Sequence, residues 1–481
     1  MSDAKLNFDN VNLDGATLPL NLYWYGDKVG SFNLTQDGVD WQGYSDDKYR
    51  NMFVCREEDG APQFLVNLHP DNAVFKMIGN GHQKEFISSG LRYLSNLSIS
   101  SDACKCPGAQ KDVLKGKLED FTRDHEFIGN LSMDFKVESI EPDKLAKQVS
   151  KYWSNRGLSR FSGAEIKLPA SLSEDGTLQT PSGDQEFTHL IKFPSTGGQE
   201  GWGVNEWMCL EISRRIGLET AEASLLKFDE NLPPALVVER FDIPKSAEDD
   251  NNRYLIQDFC SLAGIDSVSG FDAMSGRTAG NMEEIGRTMS QYSKDPEQDY
   301  KTLIKRTLLS WVLGDNDMHR KNFSMLFEGA SDEASFSQAS LAPVYDVTSE
   351  VWRQPQEHNM VLPLSGKTKG LKEQSFVNLA KNYGIDEDDA RGLIRETVET
   401  IAKEAVNIAN NLPDIAQQSP EGLFNAGRIA TFAVNMARRW GYETPEWSDV
   451  GLPKGQNGKS LSKTLASNSY NVEKLYEMSG L

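Results

Sequence analysis

A chain of 481 residues that is 38% hydrophobic, 9% aromatic and 25% charged has the composition of a soluble globular protein, long enough for roughly two to four domains. Its 71 acidic residues outnumber its 50 basic ones, for a formal net charge of −21. Such a surface repels phosphate backbones and excludes extensive direct nucleic-acid binding unless a local basic patch or a basic partner supplies it. No run reaches the length of a signal-peptide core or a membrane span. Five scattered cysteines, Cys55, Cys104, Cys106, Cys209 and Cys260, read as reduced thiols of a cytoplasmic protein. Cys104 and Cys106 could form half a metal site, but no second Cys/His pair follows at zinc-ligand spacing.

In chain order, the first hundred or so residues read as short strands. Leu20–Tyr25 meets Lys28–Phe32 across a Gly26-Asp27 hairpin turn, and Phe64–Val66 and Ala73–Phe75 are further strand-like runs. The polar stretch 96–130 fits no element. Pro142 opens a helix over Glu141–Arg156, with Leu145, Val149, Tyr152 and Trp153 on one face. Gly163–Leu168 and Thr188–Pro194 read as two strands joined by a long polar loop, Asn205–Ile216 as a helix closed by Gly217, and Ala235–Asp242 as a buried strand. Helical patterns dominate thereafter: Tyr300–Leu313 capped by Gly314, Phe376–Tyr383, Asp386–Ala409 with Asp386 as N-cap, and Leu423–Trp440. From Gly441 onward large apolar residues are few.

The polar cluster Gly314–Ser324 lies between an apolar helix and an apolar strand beginning at Phe323. Placing such a cluster there is unfavourable unless it has a role. Asp317 and Asn322 are five apart, and a short strand then runs into Asp346. One carboxylate that takes the proton of an attacking hydroxyl, with an amide and a second carboxylate as hard oxygen ligands for Mg²⁺, is a phosphotransfer arrangement. Asp and Asn also serve plain turn chemistry, which remains the competing explanation. Upstream, Lys192 is a lone cation within the apolar run His189–Phe193, suited to nucleotide phosphates or else to a water-facing edge strand. Ser162-Gly163-Ala164 offers a small-residue loop before it, and Val238–Phe241 stands where a linker strand would meet adenine.

The strings Ile191-Lys192-Phe193-Pro194, Asn205-Glu206-Trp207, Val238-Glu239-Arg240-Phe241-Asp242, Asp317-x-His319-x-Lys321-Asn322-Phe323-Ser324 and Tyr345-Asp346-Val347 resemble the HipA family, Ser/Thr kinases that act as toxins of bacterial type II toxin–antitoxin systems. The hairpin over Tyr25–Gly30 resembles that family's amino-terminal domain. The resemblance implies an α+β fold: a two-lobed, protein-kinase-like body related to phosphoinositide kinases, with a β-rich N-terminal domain and an all-helical C-terminal lobe. The expected boundaries are 1–140 for the N-terminal domain, 141–245 for the kinase N-lobe, 246–445 for the C-lobe and 446–481 for a tail.

It further implies ATP and Mg²⁺ as cofactors, Asp317 as catalytic base, and Asn322 and Asp346 as metal ligands. Ser162, Gly163, Ala164, Glu165, Lys167, Lys192, Glu239, Arg240, Phe241, His319, Arg320, Lys321 and Tyr345 would surround the nucleotide. The implied partners are a HipB-like helix-turn-helix antitoxin, through which DNA is bound, and a protein substrate such as glutamyl-tRNA synthetase, an aminoacyl-tRNA synthetase. The chain departs from the family's Ser-x-x-Gly-x-Gln-x-Lys phosphate loop. Arg160 occupies the serine position and Glu165 the glutamine position, leaving Ser159 and Ser162 as the autophosphorylation candidates. A catalytically degenerate kinase acting as an antitoxin-bound corepressor is the alternative of another class. A lipid or small-molecule acceptor is disfavoured by the acidic surface and the lack of a membrane-binding helix.

Overall fold

The structure is a computed structural model. It describes residues 18–24, 27–35, 38–67, 97–100, 166–172, 178–179, 188–193, 201–227, 233–243, 254–265, 278–327, 339–350, 358–417 and 419–447. The strand expected at Ala73–Phe75, the helix expected at Glu141–Arg156 and the phosphate-loop residues Ser159, Arg160, Ser162, Gly163, Ala164 and Glu165 lie outside them, as do most of the stretch 96–130 and the tail from 448 onward.

The first unit is an antiparallel sheet of β1 (Leu18–Trp24), β2 (Asp27–Thr35), β3 (Gly38–Tyr44) and, after α1 (Asp47–Met52) and α2 (Gln63–Asn67), β4 (Leu97–Ser100). Its strand order is β3-β2-β1-β4. Leu20, Leu22, Val29, Phe32 and Trp41 bury its inner face. Phe32 and Trp41 are directly opposed across β2 and β3 with rings stacked at 6.4 Å, the kind of cross-strand aromatic pair that fixes register. Trp24 pairs with Asp27, so the strands meet one residue earlier than the expected turn at Gly26-Asp27. The Phe64–Val66 run, expected as a strand, lies within α2. All five of that helix's residues are buried, so no periodicity separates helix from strand, and the carbonyl of Pro62 accepts from Leu65 and Val66 to start the turn.

The second unit is an antiparallel sheet of β5 (Ile166–Leu172), β6 (Leu178–Gln179), β7 (His189–Phe193), β8 (Ala223–Leu226) and β9 (Ala235–Glu239), with α3 (Trp202–Arg215) between β7 and β8 in sequence. The order β6-β5-β7-β9-β8 puts β7 between β5 and β9. Val204, Met208, Cys209 and Ile212 of α3 are buried. The helix approaches the sheet so closely at Gly203 that an added Cβ would lie 2.7 Å from the Pro234 carbonyl oxygen. Gly203→Ala is therefore expected to destabilise the protein by about 1–3 kcal/mol, as overpacking against rigid backbone does, measured by urea unfolding.

His189 is buried at the start of β7, its Nδ1 2.7 Å from the Thr188 hydroxyl. Burial pushes its pKa down to about 4 from 6.5. The unfolded chain therefore takes up this proton first on acidification. The stability tied to a neutral His189 is complete above pH 6.5 and is lost as pH falls from there towards 4, by up to about 3 kcal/mol. Burial lowers His358 to about 4 as well, with the same sign. Urea midpoints between pH 7 and pH 4 should show this slope, and His189→Gln should flatten it.

The third unit contains β10 (Leu255–Asp258), α4 (Phe259–Leu262), α5 (Met282–Tyr292), α6 (Pro296–Leu313), β11 (Ser324–Phe327), β12 (Ala339–Leu341), α7 (Glu373–Asn382), α8 (Glu387–Asn410), α9 (Asp414–Gln417) and α10 (Pro420–Arg439). It is predominantly helical, but the expectation of an all-helical C-terminal lobe is wrong, because short strands pair within it. β10, β11 and β12 form a three-stranded antiparallel sheet. Asp295 caps α6 through the Gln298 N–H at 3.2 Å, and Gly314 ends the helix at φ 71, a left-handed position that favours glycine. Leu303, Ile304, Leu308 and Val312 of α6, with Ile394, Val398, Ile401 and Ala405 of α8, are fully buried and form the centre of the helical core. No helix among the described residues is long and apolar enough to cross a membrane.

Candidate active site

Antiparallel pairing of β5 with β7 sets Lys167 directly opposite Lys192, so both side chains leave the same face of the sheet. Lys192 is only 8% exposed. Its Nζ donates to both carboxylate oxygens of Glu206 on α3, at 2.6 and 2.8 Å, and also to Asp346 Oδ1. Glu206 is 2% exposed. A buried ammonium thus lies between two carboxylates, one from α3 and one from the segment after β12.

That segment is clamped on both sides. The Asn205 amide donates to the Ser349 carbonyl at 2.9 Å and accepts from the Ser349 N–H at 2.8 Å. The Ser349 hydroxyl donates to the Leu313 carbonyl at 2.6 Å, and Ala221 and Val344 bond through their backbones at 2.9 Å. Asp346 itself sits at φ 54, a left-handed conformation that Asp tolerates better than most residues. Burial acts to raise its carboxyl pKa, but Lys192 and Lys167 outweigh this and hold it well below the usual carboxylate range. Asp346 therefore stays ionised, with 36% of its side chain exposed.

Across from it, the loop after α6 is shaped by main-chain bonds. Buried Asp315 accepts from the Asp317 N–H at 2.9 Å and from the Ser310 hydroxyl at 3.1 Å, and burial raises its pKa well above the ordinary value. The His319 N–H donates to the Asp317 carbonyl at 2.7 Å, as does Asn322 Nδ2 at 2.7 Å. Asp317 thereby presents its carboxylate to solvent, 57% exposed, with His319 Nε2 at 3.9 Å. Since the Asn322 amide nitrogen is committed, Oδ1 is the atom left to ligate a cation.

Mg²⁺ is typically held by one or two protein oxygens together with substrate phosphates and water. Asn322 Oδ1 and the ionised Asp346 match that donor set. Among the described residues no group of three or more His, Cys, Asp or Glu could hold a metal ion.

The remaining expected residues divide. Tyr345 stacks on Phe241 at 5.6 Å, and its hydroxyl donates to the Lys321 carbonyl at 2.9 Å and lies 2.5 Å from Ser324 Oγ. The N–H groups of Glu239 and Arg240 are taken by the carbonyls of Glu222, at 2.8 Å, and Thr188, at 2.9 Å. Phe241 follows in the turn just after β9. The Arg240 guanidinium is paired with Asp242.

Arg320, expected beside the nucleotide, is directed elsewhere. It donates to the Ala279 carbonyl at 2.6 Å and to Glu284 at 2.8 Å. Lys321 reaches the Asn67 carbonyl of α2 at 3.4 Å, while the Asn67 amide bonds to Ser261 and Ile265 at 3.1 and 3.0 Å. The first unit is thus tied to this loop. The resemblance assigns Glu206 no role. The signal that could have found it is the demand of a strand-buried lysine for a carboxylate on the next helix.

A sheet-based lobe and a helical lobe facing one another across Lys192, Asp317, Asn322 and Asp346 define a two-lobed, kinase-like fold. The HipA-like C-terminal domain family matches residues 159–405, and the chain belongs to this HipA-like family. It is 27% identical over 282 residues to a Sinorhizobium fredii protein named "Putative kinase Y4mE", covering 58% of this chain and 62% of that one. A second protein of that organism, "Putative kinase Y4dM", is 27% identical over 277 residues, again across 62% of its length. The chain thus spans about three fifths of the length of the curated relatives it matches. A chain of the solved Shewanella oneidensis HipA, HipB and operator DNA complex superposes with a TM-score of 0.55, covering 87% of this chain and 99% of that one at 15% identity. That likeness speaks to the fold.

Proposed function

We propose that this chain is an ATP- and Mg²⁺-dependent serine/threonine protein kinase of the HipA toxin type, acting in the cytoplasm. The observation that carries the reading is the Lys192–Glu206–Asp346 ion cluster opposite the Asp317–Asn322 loop. It is a buried cation fixed by a helix carboxylate, an ionised acid and an amide oxygen around one cleft, facing an exposed carboxylate.

Lys192, oriented by Glu206, and Lys167 bind the α- and β-phosphates, and Asn322 Oδ1 and Asp346 hold the cation. Bound Mg²⁺ neutralises charge on the phosphates of the nucleotide. Asp317 orients the acceptor hydroxyl and takes its proton as the hydroxyl oxygen attacks the γ-phosphorus, the bond from that phosphorus to the β–γ bridging oxygen breaks, and ADP leaves. The acceptor is a protein hydroxyl, with a glutamyl-tRNA synthetase-like translation protein as the first candidate, and its phosphorylation inhibits growth. The partner is a HipB-like helix-turn-helix antitoxin, by analogy with the Shewanella oneidensis complex. Binding operator DNA through that basic partner accommodates a chain of net charge −21.

Calorimetry of ATP binding with and without Mg²⁺ tests the reading. We expect binding that strengthens with Mg²⁺ and is lost in Asp346→Ala. Absence of nucleotide binding under both conditions would remove the proposal.

A further inference from the structure

Arg306, on α6, is 1% exposed and is among the largest fully buried side chains of the described residues. A guanidinium without water is costly unless paired, and among the described residues no carboxylate pairs with this one at ion-pair distance, Asp315 acting on it only at longer range. Its Nη2 donates to the Asn322 carbonyl. Its carbon lies 4.4 Å from the Phe323 ring centroid and 5.5 Å from that of Tyr345. Nε and Nη1 have no acceptor among the described residues. Burial lowers its pKa to about 10, which still leaves it charged at neutral pH. An apolar side chain of similar length would fill the same space without the desolvation cost, so packing alone does not account for an arginine here.

What it touches is specific. The carbonyl belongs to Asn322 and the second ring to the residue preceding Asp346, the two positions read above as cation ligands. Tyr345 acts from the same side, donating to the carbonyl of Lys321. Two consecutive carbonyls of the 320–322 turn are thereby drawn in, one by the arginine and one by the tyrosine that packs against it. We propose that Arg306 is a positioning residue that sets the separation of Asn322 and Asp346, joining the loop after α6 to the segment after β12 through one carbonyl and a pair of cation–π contacts. It touches neither nucleotide nor acceptor. The inference rests on the reading of Asn322 and Asp346 as cation ligands.

Mn²⁺, visible by electron paramagnetic resonance, substitutes for Mg²⁺ as the probe. Its affinity is measured with a non-hydrolysable ATP analogue for the wild type, Arg306→Lys, Arg306→Met and Tyr345→Phe, each checked for folding by thermal melting. Arg306→Met is expected to weaken Mn²⁺ binding by about tenfold, the effect of losing an outer-shell partner of a metal site, with metal-free analogue affinity within about twofold of wild type. Arg306→Lys restores part of the loss because charge over the rings is retained. Tyr345→Phe, which keeps the ring and frees only the Lys321 carbonyl, shows a smaller loss of the same sign. Should Arg306→Met fail to fold, the Lys and Phe variants carry the test. Wild-type Mn²⁺ affinity in folded Arg306 variants would overturn the positioning role alone. A wild type that binds no Mn²⁺-nucleotide at all would overturn the kinase reading and this inference with it.

Discussion

Lys192→Met is expected to cost about 3–5 kcal/mol of stability, because it leaves partners of a buried ion cluster without their cation, and to lower phosphoryl transfer by at least ~10²-fold through loss of phosphate binding. Glu206, 2% exposed, would lose both bonds it receives from Nζ, and Asp346 would lose its contact with that ammonium. The penalty should depend on pH. In the wild type Asp346 lies below its ordinary value of 3.8. Its contribution is present above that pH and is lost only as pH falls through the depressed folded value. Without Lys192 the buried Glu206 carboxylate lacks that ammonium, a cost that protonation relieves, so the destabilisation relative to the wild type shrinks as pH falls into the carboxylate range. Urea unfolding at pH 5 and pH 8 checks this, with Lys192→Arg separating the loss of charge from the loss of geometry.

Asp317→Ala should behave in the opposite manner, with transfer falling by about 10²–10⁴-fold, the usual contribution of a positioned general base, and stability unchanged to within about 0.5 kcal/mol. The Asp317 side chain is 57% exposed. The bonds that shape its loop run through its own N–H to Asp315 and its own carbonyl from Asn322, and alanine keeps both. Thermal melting alongside a transfer assay distinguishes the two variants: one loses activity with its fold weakened, the other with its fold intact.

Much of this site was legible because its residues announce themselves locally. A lysine inside an apolar run, an Asp and an Asn five apart after a glycine-capped helix, and an acid after a short hairpin are all visible in one dimension. The pairing of β5 with β7 then brings Lys167 opposite Lys192, with only the two-residue β6 between these strands in sequence.

What was not legible depended on direction or on distant pairing. Arg320, Lys321 and Asn322 are adjacent in sequence, but they occupy a 3₁₀ turn, whose three residues per turn send neighbours to different sides. Arg320 goes to Ala279 and Glu284, Lys321 to Asn67 and Asn322 back to Asp317. Arg306 lay within a helix recognised by its apolar spacing, where nothing marks an arginine as buried. β10 and β12 are four and three residues long, too short for alternation to register, and exist because β11 lies between them. Phe64–Val66 was misjudged as a strand because a run buried on all sides carries no period.

The most direct test of the account is transfer of the labelled γ-phosphoryl of ATP to protein in an ATP-depleted lysate, by wild type and Asp317→Ala in parallel, with Mg²⁺ and with a chelator. Label on serine or threonine from the wild type with Mg²⁺ alone, and none from Asp317→Ala, is the predicted result. Equal labelling by the two proteins, or none from a folded wild type that binds Mg-ATP, would contradict it.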